Sequence, residues 1–143
     1  MSAALVLALF FTVALLATSA YFLMGSLPLL VLKHDTPLDA RFVRGFFNAY
    51  YLGATVTASA CALSYAFAGW LAFAAGAAVL AISAVALWRL VIPKMDRLRA
   101  RLQSEDAGAV SSFRRLHVTA IAFSLAQLVL TVGSLIAVSI RMK

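Results

Sequence analysis

The chain has 143 residues, of which 64% are apolar and 12% are charged, and its net charge is +7. Typical soluble domains are about 45–50% apolar and about 25% charged. So few charges cannot cover a water-soluble fold of this length, and the sequence predicts an all-α integral membrane protein whose main partner is the lipid bilayer. Because the basic residues lie at the ends of apolar runs, they indicate membrane topology rather than a nucleic-acid partner.

The first apolar run extends from Ala3 to Leu32 without a charged residue and predicts a membrane span over residues 5–32. A helix over the whole run would be about 45 Å long, whereas the hydrocarbon core of a bilayer is about 30 Å thick. We therefore expect the helix to tilt, or to kink at Pro28, whose ring removes one backbone hydrogen bond.

The second helix is predicted to begin at Pro37, because Thr36 before it has the side chain of a helix N-cap. Its first turns are basic and amphipathic, and its membrane span is predicted over residues 45–67. Tyr50 and Tyr51 fall where the aromatic belt of the membrane interface is expected. The second helix is therefore expected to start before the membrane does.

Small residues mark one face of the second span. The residues that recur every four positions are Ala54, Ala58, Ala62 and Ala66, and a parallel row of small side chains consists of Gly53, Thr57 and Cys61. Small side chains let helix backbones approach closely in lipid, so we predict that this face makes the main contact between helices. The same face suits a homodimer or a contact with another membrane protein, and the sequence does not separate these alternatives.

The third span is predicted over residues 70–92, directly after a short uncharged turn, and therefore antiparallel to the second span. Pro93 is expected to bend the helix where it leaves the bilayer. Between Met95 and Leu102, apolar residues recur at three- and four-residue spacing. This pattern predicts an amphipathic segment over residues 93–103 that lies on the membrane surface.

The fourth helix is predicted to follow a polar break, with Ser111 or Ser112 as its N-cap and a span over residues 117–140. Short connections make consecutive helices antiparallel neighbours. The sequence therefore predicts a single domain over residues 1–143, folded as an antiparallel four-helix bundle in the membrane.

Basic residues concentrate in two of the three connections between spans. The predicted residues of the membrane interface are Arg44, Arg89, Lys94, Arg97, Arg101, Arg114 and Arg115. Because cytoplasmic loops carry the excess of Lys and Arg, the first and third connections are expected in the cytoplasm. The sequence thus predicts a multi-pass protein of the inner (cytoplasmic) membrane with both termini in the periplasm.

Few polar residues fall deep within the predicted spans. Counted along their helices, Gln127, Ser83 and Thr57 each lie roughly 14–20 Å from the membrane surface. We expect these side chains to meet near the midplane and to join helices through hydrogen bonds. No charged residue is buried deep in a span, which argues against an ion-coupled pump built from one copy.

The two histidines, His34 and His117, are predicted at the cytoplasmic ends of the first and fourth helices. Two facing imidazoles ligate haem or a transition metal in other helical proteins, so this pair is the candidate metal site. The alternative is that each histidine is an interfacial residue with an apolar ring face and a polar edge. Because no motif supplies further ligands, we expect no cofactor.

Several short motifs resemble those of a family of small four-span membrane proteins. They are Ile92, Pro93 and Arg99; Phe113, Leu116 and His117; Gln127 and Leu128; and Phe46, Phe47, Tyr50 and Tyr51. Bacterial members are mostly of unknown function, and eukaryotic relatives include a transmembrane protein linked to cisplatin resistance. Members often carry Ser and Asn three and seven residues after the histidine, where this chain has Ala120 and Ser124. The resemblance implies a fold and a location but no reaction.

The sequence contains no phosphate-binding loop, no pair of catalytic carboxylates and no nucleophile triad. We therefore interpret it as a non-enzymatic helix-bundle module that binds a partner or a lipophilic compound. One alternative is a membrane oxidoreductase or oxygenase with a histidine-ligated haem or metal, since another small four-span group of similar layout includes oxygenases acting on aromatic polyketides. A second alternative is efflux of a small solute or drug by an oligomer.

Overall fold

The structure is a computed structural model that describes residues 2–30, 37–102 and 107–142. This part of the chain forms four helices and no strands. The helices are α1 (Ala3–Leu29), α2 (Pro37–Phe67), α3 (Leu71–Leu102) and α4 (Ala107–Arg141). Pro37 is the first residue of α2, as the sequence predicted, whereas the expected cap Thr36 lies outside the described residues.

Each helix packs on two others. α2 packs on α1 and α3, and α4 packs on the other sides of α1 and α3. The turn between α2 and α3 is tight because Gly69 adopts a positive φ of 78°, which suits glycine at the end of a helix. Arg141 near the end of α4 lies over the ring of Phe73 near the start of α3, at 5.5 Å from its centroid. Consecutive helices therefore run antiparallel.

The buried residues of α1 and many of those of α2 form narrow seams, in which the spacing alternates between three and four residues. The seam of α1 consists of Leu5, Ala8, Thr12, Leu15, Ser19, Phe22 and Ser26. The seam of α2 includes Phe47, Tyr51, Ala54, Ala58, Cys61 and Tyr65. Such a heptad pattern is typical of helices that pack nearly parallel or antiparallel over their whole length.

The remaining helix surface is apolar and faces outward. Large side chains such as Phe10, Met24, Phe67 and Leu90 are more than half exposed, while Ser19 and Thr12 are buried. This arrangement reverses the usual order of a soluble protein, in which buried polar groups are rare. The outer surface is suited to lipid.

Three of the helices are long and apolar enough to cross a membrane: α1, α3 and α4. The expected fourth span, α2, is less apolar, because Asn48 and several hydroxyl side chains lie along it.

The third helix continues through Pro93 to Leu102 without interruption. The predicted surface segment over residues 93–103 is thus the last part of α3 rather than a separate element. Its apolar side chains Met95 and Leu98 are buried in the protein core, where they join a cluster that includes Phe47 and Phe113. The expectation that this face rests on lipid was wrong, because neighbouring helices extend far enough to cover it.

The fourth helix begins at Ala107, earlier than the sequence predicted. Neither Ser111 nor Ser112 is its N-cap, and the Ser111 hydroxyl donates instead to the Gly108 carbonyl within the helix, at 3.1 Å. Ala109 and Phe113 are fully buried in the core. Because burial of these residues stabilises the helix, it begins before Ser111 and Ser112, the positions where capping was expected.

A candidate functional site: the buried polar cluster and the aromatic groove

A hydrogen bond crosses the interior between helices whose backbones do not meet. The Tyr50 hydroxyl on α2 donates to the Gln127 side-chain oxygen on α4, at 3.2 Å. Within the described residues, α2 and α4 make no close backbone contact, so this side-chain pair spans the diagonal of the helix assembly. Because the surroundings are apolar, removing either partner would leave the other as a buried polar group without a hydrogen bond, which would lower the stability of the protein.

Serine residues on two helices complete the polar cluster, which we define as Ser19, Tyr50, Ser124 and Gln127. The hydroxyls of Ser19 on α1 and Ser124 on α4 approach the Tyr50 hydroxyl without reaching hydrogen-bond geometry. Among the described residues, the Gln127 side-chain nitrogen is buried and has no hydrogen-bond partner. The cluster therefore holds unused donors and acceptors between three helices.

Stacked rings hold Tyr50 in position. Its ring stacks on Phe22 of α1, with centroids 4.0 Å apart. Phe22 also stacks on Phe46 at 5.4 Å and meets Phe47 edge to face at 4.8 Å. Such rings have few rotatable bonds, so the Tyr50 hydroxyl is directed toward α4 by a rigid support.

The same rings line a groove that opens outward between α1 and α2. This aromatic groove has a volume of about 470 Å³ and is lined by Ala17, Thr18, Tyr21, Phe22, Phe46, Ala49 and Tyr50. Ala17 and Ala49 are exposed, so small side chains leave the groove open. Tyr50 thus belongs both to the groove and to the buried polar cluster, and it connects the outer surface to the interior.

A second group of polar contacts joins α1 to the C-terminal end of α2. The Thr12 hydroxyl donates to the Ala8 carbonyl at 2.7 Å, and it also lies 3.2 Å from both the Cys61 sulfur and the Tyr65 hydroxyl. The Cys61 thiol also contacts the Ala8 carbonyl, at 3.9 Å, so Thr12, Cys61 and Tyr65 form one connected group of polar contacts. This contact sets the register between the two helices at that end.

The opposite end of the assembly is basic. The Arg44 guanidinium on α2 forms an ion pair with Asp96 on α3, and the Trp88 indole N–H donates to the Asn48 side-chain oxygen at 2.8 Å. All described lysines and arginines except Arg141 lie on the parts of α2, α3 and α4 nearest this end: Arg41, Arg44, Arg89, Lys94, Arg97, Arg99, Arg101, Arg114 and Arg115.

We expected Gln127, Ser83 and Thr57 to meet one another, but each of them has a different hydrogen-bond partner. The Ser83 hydroxyl donates to the Leu80 carbonyl at 2.9 Å, and the Thr57 hydroxyl donates to the Gly53 carbonyl at 2.7 Å. Both are thus engaged by their own helices. Gln127 accepts a hydrogen bond from Tyr50 instead, and both Tyr50 and Tyr51 are buried in the protein.

His117 lies in the interior of the protein. It is fully buried, and its ring meets Phe47 edge to face at 5.0 Å. His34 lies outside the described residues, so the proposed pair stays a prediction. Within residues 2–30, 37–102 and 107–142, no three His, Cys, Asp or Glu side chains are grouped so as to hold a metal.

The fold and the site define the class of protein: an all-helical chain with three helices long and apolar enough to cross a membrane, and with a small polar cluster in its apolar core. The sequence matches no family model, no curated protein and no solved structure. The resemblance to the small four-span family therefore remains a prediction.

Proposed function

We propose that this chain is a four-span protein of the cytoplasmic membrane that binds a lipophilic, aromatic compound without chemically changing it. The aromatic groove carries the proposal. It opens on the outward apolar surface, it is lined by stacked rings, and two hydroxyl-bearing side chains, Thr18 and Tyr21, belong to its walls. Pockets for apolar ligands typically combine apolar walls with a few polar groups that fix orientation.

The position of α2 between its neighbours supports a fourth span. The Cys61 sulfur contacts the Ala8 carbonyl at 3.9 Å, and Gly25 lies directly against the Phe46 ring. The 17 residues from Ala8 to Gly25 correspond to about 25 Å of helix, most of the hydrocarbon thickness. If α1 crosses the bilayer, α2 lies at the same depth. Inward-facing hydroxyls then explain its lower hydropathy.

The basic end supports the orientation. Because Lys and Arg are retained on the cytoplasmic side, the end with Arg44 and Lys94 is placed in the cytoplasm. The turn at Gly69 and the last residues of α4 then face the periplasm.

Cysteine labelling tests the crossing of α2 and its direction. Arg41 and Leu71 are exposed at opposite ends of the assembly, whereas the native Cys61 is buried. In intact cells, we expect a membrane-impermeant maleimide to label Leu71→Cys, and to label Arg41→Cys only after permeabilisation. A phosphatase fused after Lys143 should be active. Labelling of both cysteines from the same side would exclude the proposed topology.

Photolabelling tests the binding site. Protein in lipid nanodiscs would be irradiated with a lipophilic benzophenone, and the labelled peptides identified by mass spectrometry. We expect saturable labelling around residues 17–22 and 46–50, competed by an unreactive aromatic analogue. Uniform, non-saturable labelling of all outward faces would show that the groove has no special affinity.

A matched pair of variants separates groove binding from partitioning into lipid. Ala49→Phe fills the groove from an exposed position, while Ala126→Phe adds the same ring to an exposed position on α4. We expect Ala49→Phe to lower saturable labelling at least fivefold and Ala126→Phe to leave it unchanged. Equal effects of the two variants would contradict the assignment of the site.

A further inference from the structure

Two shallow grooves adjoin on the outward surface of α3. The upper one, on the side of Ile82, has a volume of about 570 Å³, and the lower one, on the side of Arg97, about 520 Å³. Arg89 and Leu90 line both grooves, so the two adjoin there. We call them together the α3 groove, with an upper and a lower part.

The chemistry of the α3 groove changes at Arg89. The upper part is lined by apolar residues of α3 such as Ile82, Val85 and Ala86. The lower part adds Lys94 and Arg97. From Ile82 to Arg89 the helix rises about 10 Å, and from Arg89 to Arg97 it rises about 12 Å more. An apolar stretch followed by cations matches the acyl and headgroup regions of one leaflet.

The cationic part selects for negative charge. Asp96 is the only acid among the residues whose side chains the structure describes, and Arg44 of α2 binds it away from the groove. Guanidinium groups bind phosphate oxygens with two hydrogen bonds, and a lysine adds a point charge. A zwitterionic headgroup would place its positively charged ammonium group beside Arg89, Lys94 and Arg97, which would repel it. An anionic headgroup such as that of phosphatidylglycerol has a phosphate and no ammonium group, so it avoids this repulsion.

We propose that the α3 groove binds one anionic phospholipid. Its phosphate lies among Arg89, Lys94 and Arg97, and one acyl chain follows the apolar upper part past Ala86. This site lies on a different helix face from the aromatic groove. It rests on the proposed membrane placement but not on the binding of an aromatic compound.

Native mass spectrometry of the detergent-solubilised protein provides the test. Phosphatidylglycerol and phosphatidylcholine with identical chains would be titrated in parallel, with glycerol phosphate as a headgroup without chains. We expect phosphatidylglycerol adducts at concentrations at least tenfold lower than phosphatidylcholine adducts, and no retained glycerol phosphate. Equal binding of the two lipids would overturn the proposal, and equal retention of glycerol phosphate would show an anion site without an acyl groove.

Two charge-matched triple variants locate the site. Arg89→Gln/Lys94→Gln/Arg97→Gln removes three cations of the groove, and Arg41→Gln/Arg114→Gln/Arg115→Gln removes three exposed cations from the same end of the protein. We expect the first variant to weaken phosphatidylglycerol binding at least tenfold and the second less than twofold. Equal losses would mean that net charge alone attracts the lipid, which contradicts a site.

The apolar part needs its own variant. Ala86 is exposed in the upper groove, so Ala86→Phe fills that part without entering the core. We expect it to weaken phosphatidylglycerol binding about fivefold, while Ala126→Phe on α4 has no effect. Unchanged binding in Ala86→Phe would contradict the position of the acyl chain.

Alkaline extraction of membranes separates the lipid site from the membrane placement on which it rests. If alkali extracted the protein, the membrane placement itself would be wrong. If the protein stayed in the membrane but did not prefer phosphatidylglycerol, only the lipid site would be wrong.

Discussion

The Arg44 guanidinium on α2 meets the Asp96 carboxylate on α3 through two parallel hydrogen bonds, each 3.1 Å long. The side chains are 34% and 39% exposed. Bidentate geometry fixes the relative position of the two helices at the basic end. The pair also explains how an acid is accommodated in the most basic part of the sequence.

We predict that Asp96→Asn destabilises the protein by about 0.5–1 kcal/mol, because partly exposed ion pairs contribute about that much. Thermal unfolding in detergent measures the change, and raising the salt concentration should reduce it. Arg44→Gln should have a similar effect. A double variant that is as unstable as the sum of both single variants would show that the two residues do not interact energetically.

We predict that Tyr50→Phe destabilises the protein by about 0.6–1.7 kcal/mol, since hydrogen bonds between membrane helices contribute about 0.6 kcal/mol on average and about 1.7 kcal/mol at most. The Gln127 side-chain oxygen would lose its donor in a buried position. Tyr21→Phe is the matched control, since Tyr21 is 73% exposed. Equal melting temperatures for both variants would contradict a structural role of the diagonal bond.

Gln127→Leu provides the complementary test. It removes the acceptor of the Tyr50 hydroxyl together with a side-chain nitrogen that has no partner among the described residues. Each variant leaves one partner of the bond without its counterpart, but Gln127→Leu also removes a buried nitrogen that has no partner, and Ser19 and Ser124 lie near the Tyr50 hydroxyl as alternative acceptors. We therefore expect a smaller loss than in Tyr50→Phe. Thermal unfolding of both variants in the same detergent compares the two. A larger loss for Gln127→Leu would indicate further bonds from Gln127.

The sequence predicted the helices well because apolar length and the absence of charge set them directly. It predicted the packing face of α2 only in part. A row with four-residue spacing turns by about 40° at each step, whereas alternating steps of three and four stay in line. Ala54 and Ala58 are therefore fully buried, and Ala62 is only half-buried. The true seam continues through Cys61 instead.

The same alternating spacing could have predicted the burial of Tyr51. Phe47, Tyr51, Ala54 and Ala58 are separated by four, three and four residues, so they share a face. Composition alone assigned Tyr51 and its neighbour Tyr50 to the membrane interface, where tyrosine is common. The diagonal contact of Tyr50 with α4 could not be predicted, because hydropathy patterns do not specify which helices lie opposite one another.

We predict that Thr12→Val destabilises the protein by about 1 kcal/mol, although the two side chains have nearly the same shape. The Tyr65 hydroxyl would lose the hydrogen-bond partner that lies 3.2 Å away and stay buried. Thr18→Val is the control, because the Thr18 hydroxyl donates to the Ala14 carbonyl of its own helix. Thermal unfolding compares the two variants. A loss in Thr18→Val as large as in Thr12→Val would argue against the contact between helices.

We predict that Ala58→Leu destabilises the protein more than Ala78→Leu does. Ala58 is fully buried on the seam of α2, the helix that packs most extensively on α3, whereas Ala78 of α3 is only half-buried. Added methylenes in a tight core typically cost about 1–3 kcal/mol, because helices must separate or side chains must leave their preferred rotamers. Melting temperatures in detergent give the comparison, with Ala66→Leu, at an exposed position, as a neutral reference. Equal melting temperatures for Ala58→Leu and Ala78→Leu would contradict the seam, since only close backbone approach at Ala58 makes that position intolerant of a larger side chain.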